Sequence, residues 1–102
     1  MSSILVVNEI SHEREELSRA LQAEGFSVVQ AASAAEATRE IWGGSFIVAM
    51  VSTLLTGTTA AALVQQLQQM APEIESVVYG KNDPIPQLVR KACQIRDGEA
   101  AA

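Results

Sequence analysis

Ser52, His12 and Glu9 are the side chains in this sequence that most invite a nucleophilic reading. A serine hydroxyl needs a base within hydrogen-bond reach, and that base needs a third group to orient it. His12 falls in the first turn of a helical segment, where the helix dipole disfavours an imidazolium. The simpler reading is a solvated or locally capping His12 and a Ser52 that closes a strand. Magnesium-assisted phosphoryl chemistry takes one or two carboxylates plus waters, and Glu9 is the one charged ligand on offer at the strand ends. A phosphate cradle needs a glycine-rich loop entering a helix, for which Gly57-Thr58-Thr59 is too short a signal. The expectation is a protein that is not an enzyme, with no catalytic, metal or cofactor-binding residue.

The rest of the composition narrows the classes further. The chain has 102 residues, 48% of them hydrophobic and 19% charged, which suits one domain with a single core. Its net charge of −5, with no basic run, argues against direct binding to nucleic acid or to an anionic membrane. The single cysteine, Cys93, excludes an internal disulfide framework and a cysteine-rich zinc site. In a helical pattern it reads as a small buried hydrophobe. No signal peptide or membrane-length apolar run is present, so a cytoplasmic location is expected.

The elements that must position any site alternate in type. Ile4-Leu5-Val6-Val7 is a continuous apolar run, as expected for a strand buried on both faces. Ser11 is placed to cap a helix with Leu17, Ala20 and Leu21 on one face, and Gly25 suits the left-handed position that ends it. Phe26 to Val29 follows as a strand. Ser33-Ala34-Ala35-Glu36 has the form of a capping box and opens a helix to Trp42, stopped at Gly43-Gly44. Phe46 to Val51 is a third strand. Ala60, Leu63, Val64, Leu67 and Met70 make a helical stripe closed by Pro72. Ser76 to Tyr79 is a fourth strand, and Ile85, Leu88, Val89, Ala92 and Ile95 mark a fourth helix started by Pro84 or Pro86. Four βα units with short connections predict an α/β fold, a doubly wound parallel sheet with right-handed crossovers. The domain is expected over residues 1–97, with 98–102 as a tail or the start of a linker.

In such sheets a site lies at the carboxyl ends of the strands: Asn8-Glu9, Ser52-Thr53 and Gly80-Lys81. With these residues, the stretch from Phe46 to Ala60 and the stretch from Val77 to Asp83, the chain resembles the receiver domain of two-component response regulators, a CheY-like, flavodoxin-type fold. The resemblance runs in order and spacing along essentially the whole chain. It implies that the acidic pair after the first strand matches Asn8 and Glu9. The phospho-accepting aspartate falls on Ser52, the proline that follows it on Thr56, and the hydroxyl residue after the fourth strand on Gly80. The lysine after a fifth strand has no counterpart. These four positions, Asn8, Glu9, Ser52 and Gly80, form a degenerate phosphorylation pocket, which implies a pseudo-receiver with magnesium binding lost or weak. Tyr79 comes too early for the aromatic switch that the family carries on its fifth strand.

The fifth strand and fifth helix of a receiver are missing. That leaves the fourth strand as an open edge and the sheet face under a fifth helix partly bare, features that proteins cover. The expected function is therefore a non-catalytic, phosphorylation-independent signalling module that acts through protein contact, with a protein partner or a second copy at the open edge. The alternatives are the N-terminal receiver fragment of a longer response regulator, and a small-ligand sensor that uses the emptied pocket.

Overall fold

The computed structural model describes residues 2–101. Strands and helices alternate without exception: β1 (Ser3–Val7), α1 (Ser11–Ala23), β2 (Ser27–Ala31), α2 (Ala34–Gly43), β3 (Val48–Ser52), α3 (Ala60–Met70), β4 (Glu75–Tyr79) and α4 (Ile85–Ala101). All four strands are parallel, in the order β2-β1-β3-β4. This is the doubly wound α/β sheet of four βα units that the sequence predicts.

Local chemistry explains most boundaries. β1 and β3 are the central strands, and Ile4 to Val7 and Val48 to Val51 are wholly buried, so neither strand alternates with polar residues. Gly25, at φ +92°, ends α1. Its N–H donates to the Gln22 carbonyl and the Phe26 N–H to the Leu21 carbonyl, and Phe26 then packs in one cluster with Leu21, the pairing that accompanies this kind of helix stop. Ser33 Oγ accepts the Glu36 N–H at 3.1 Å, and the Glu36 carboxylate accepts the Ala32 N–H at 3.3 Å. The expected capping box thus forms with its return bond one residue early. Ser11 does not cap α1. Ile10 holds the cap position without a side-chain bond, and its N–H donates to Asn8 Oδ1 at 2.9 Å. An asparagine turn at the end of β1 therefore starts the helix.

Right-handed crossovers decide which face each helix covers. The chain moves from β1 outward to β2, then back across the sheet to β3 and on to β4. α1 therefore lies on one face, and α2 and α3 lie on the other. Leu5, Val7, Ala49 and Val51 pack with Ala37, Ile41, Leu63 and Leu67. Ile4, Val6, Val48 and Met50 pack with Leu17 and Leu21 of α1, and with Leu88 and Ala92 of α4. Cys93 is half-buried against this second cluster.

The position of α4 corrects one expectation. A helix leading on to a further parallel strand outside β4 would lie beside α3 by the same crossover rule. α4 instead lies beside α1, so the sheet face expected to be partly bare is covered. Its distal half is tied down by Arg96, which donates to the Glu24 carbonyl at 2.9 Å and lies 4.6 Å from the Phe26 ring centroid. What stays open is the outer edge of β4, where Val78 is 45% exposed and the buried Ser76 hydroxyl has no hydrogen-bond partner among the described residues. α4 also runs past its expected end near Ile95 to Ala101, so the segment read as a tail is helical as far as Ala101; residue 102 lies outside the described residues.

Candidate functional site

β1 delivers Asn8 to the carboxyl end of the sheet, where it is fully buried. All of its polar groups are used. Oδ1 holds the Ile10 N–H, and Nδ2 donates to Tyr79 Oη at 3.0 Å and to Glu13 Oε1 at 3.3 Å. Its N–H donates to the Ala31 carbonyl at 3.1 Å. Its own carbonyl accepts from Arg14 Nη1 at 2.8 Å, while Arg14 Nε reaches Gln30 Oε1 at 3.1 Å. Asn8 is thus the joint of β1, β2, β4 and α1, and a buried amide satisfied in this way fixes their mutual placement.

Glu9 is exposed and points the other way, across the loop that follows β3. The Thr56 hydroxyl donates to its Oε1 at 2.7 Å and the Thr56 N–H donates to its Oε2. First the hydroxyl bond and then the backbone bond hold the Glu9 carboxyl below its ordinary value, since both favour the charged form. Ser52 is buried at the end of β3, where its Oγ accepts the Leu54 N–H at 3.1 Å. The ring of His12 is exposed and has no hydrogen-bond partner among the described residues, so the structure does not join His12 and Ser52. Gly80 donates its N–H to Asp83 Oδ2 at 2.8 Å and accepts the Asp83 N–H at 3.1 Å. A Cβ at Gly80 would stand 3.2 Å from Thr53 Oγ1, so the closed turn leaves little room there for a side chain.

The residue that sequence reasoning missed is Tyr79. Register pairs Ser52 with Tyr79, not with Gly80, and puts both side chains on the face that carries α1 and α4. The tyrosine is 7% exposed, and its hydroxyl meets Asn8. Burial, the largest influence, pushes its pKa up, with the Asn8 bond opposing it. A tyrosine closing an apolar strand needs a partner for its hydroxyl when buried, and that was the available signal. Beside it lies a shallow cavity of about 200 Å³ lined by Glu13, Leu17, Tyr79, Lys81, Asp83 and Leu88, below the range of roughly 300–1,000 Å³ typical of small-molecule sites.

No protein-family model matches the sequence, and no curated protein does. Solved structures match it well. A CheY-like response regulator receiver domain protein from Methanospirillum hungatei JF-1 superposes with a TM-score of 0.88 at 17% identity, over 100% of this chain and 99% of that one. A Burkholderia pseudomallei response regulator with a phosphorylated aspartic acid, calcium ion and citrate gives 0.80 at 18% identity, over 99% and 74%. DrrB of Thermotoga maritima, an OmpR/PhoB homolog, gives 0.85 at 13% identity, over 97% and 54%. The fold is that of the CheY-like receiver. The polar groups at the corresponding strand ends here are engaged within the chain. The Asn8 amide is spent, both Glu9 oxygens are held by Thr56, the Ser52 hydroxyl takes a backbone N–H, and no group of three metal-ligating side chains converges among the described residues.

Proposed function

We propose that this domain is a receiver-like signalling module that works without phosphorylation or catalysis, through protein contact, in a two-component-type pathway of the cytoplasm. The observation that carries this reading is the place of Ser52. It closes β3 next to β4, its hydroxyl is engaged by the Leu54 N–H, and no side-chain base hydrogen-bonds to it among the described residues. An acyl phosphate forms from a carboxylate, and a hydroxyl without a base is a far poorer nucleophile. The polar groups that remain are bonded to one another and hold the strand ends in one arrangement. A net charge of −5 argues against nucleic acid as the direct partner, and no helix among the described residues is long and apolar enough to cross a membrane.

Amide NMR with magnesium and beryllofluoride tests the reading. The expected result is an unchanged spectrum and an unchanged melting temperature in millimolar magnesium. Saturable shifts at Ser52, Thr53 and Gly80 would sink it. The 54% and 74% coverage of two of the similar chains favours one further reading, in which this is the receiver portion of a longer regulator, with the same inert pocket. A small-ligand sensor has less support, given the size of the cavity beside Tyr79.

A further inference from the structure

We infer that the outer edge of β4 is an interface for a second copy of this chain, paired antiparallel about a two-fold axis through Val77. In a parallel ladder the N–H and C=O of one residue face the same neighbour, and those of the next residue face away. The Glu75 N–H donates to the Ile47 carbonyl at 3.0 Å, and the Tyr79 carbonyl accepts the Thr53 N–H at 2.9 Å. Glu75, Val77 and Tyr79 therefore face β3, and Ser76 and Val78 present their backbone groups outward. On either side the next groups are occupied. The Ile74 N–H donates to the Ala71 carbonyl, and both backbone groups of Gly80 are bonded to Asp83.

One antiparallel register uses the outward N–H and C=O groups of both Ser76 and Val78 and none of the occupied groups. It sets Ser76 opposite Val78 of the second copy and Val78 opposite Ser76, with two hydrogen bonds in each pair. A slide of two residues in either direction brings Gly80 or Ile74 into the ladder. The same two-fold pairing brings Glu73, in the turn before β4, to the same end as Lys81 of the second copy, in the turn after it, and repeats that approach at the other end. Both residues are exposed, and opposite charges brought near one another attract. Pairing also draws the exposed Val78 side chain against its neighbour, which is how an open apolar edge is ordinarily removed from water. The contact is isologous, so it closes at two copies.

The pairing names the partner for the protein-contact reading above. Light scattering on the full chain across a concentration series should show the mass rising to twice the 10.9 kDa of one chain. Val78→Lys should abolish the rise. Glu73→Lys and Lys81→Glu should each weaken association roughly tenfold, because each brings like charges together at both ends of the pairing, and the double variant should restore it. Amide exchange at Ser76 and Val78 should slow as the mass rises. A monomer at millimolar concentration, or a dimer indifferent to the charge reversals with fast exchange at Ser76 and Val78, would overturn the inference. A monomer that also ignores beryllofluoride would leave the inert pocket standing.

Discussion

Asn8, just past the end of β1, and Ser76, within β4, both carry buried polar side-chain atoms. The Asn8 amide has three partners, from Ile10, Glu13 and Tyr79. The Ser76 hydroxyl has none among the described residues. The first belongs to a region that has supplied its own partners and is closed to outsiders. The second belongs to an edge whose backbone groups and apolar surface are left over. A buried polar atom costs free energy unless it is bonded, so the two regions should answer substitution with opposite signs.

The largest effect is expected from Asn8→Ala, which strips partners from the Tyr79 hydroxyl and the Ile10 N–H. Urea unfolding should show a loss of about 2–4 kcal/mol, and a loss well under 1 would break the contrast. Tyr79→Phe removes one bond from the same network and should cost about 1 kcal/mol. The chain has one tyrosine, so phenolate absorbance reports Tyr79 alone. Its midpoint should lie above 10.0 in the folded protein and return to the ordinary value in denaturant. The folded state then keeps a proton that the unfolded state gives up. The stability this contributes is complete below about pH 10 and is lost as pH rises through the folded pKa; Tyr79→Phe should remove that slope. Ser76→Ala, studied at a dilution where the chain is monomeric, should change nothing or gain up to about 1 kcal/mol. A loss there would mean that the hydroxyl has a partner in solution.

The sequence carried the scaffold because its signals are local. The unbroken run Ile4 to Val7, the stripe from Ala60 to Met70, the Ser33 and Glu36 pair and the glycine at position 25 each act within a few residues. The alternation of types then left few topologies open. The face chosen by α4 was not legible, because periodicity shows that Leu88 and Ala92 share a side but not which side of the sheet receives it. The bonding at the strand ends was not legible as a network. Glu9 meets Thr56 across 47 positions and Asn8 meets Tyr79 across 71, and such bonds exist only once strand register is set. Ser11 misled because its type suits a cap, while an asparagine three residues earlier had the better geometry.

The strand order also has a consequence in time. A chain made from its N-terminus completes β1, β2 and β3 before β4 exists, and β3 is then the edge of the sheet. Its residues Val48, Ala49, Met50 and Val51, all without exposure in the finished fold, have neither their strand neighbour nor α4 over them. At ordinary rates of synthesis that interval lasts on the order of seconds. A strand that ends up wholly buried is thus briefly the border of the sheet, until the arrival of β4 replaces it with a more polar one.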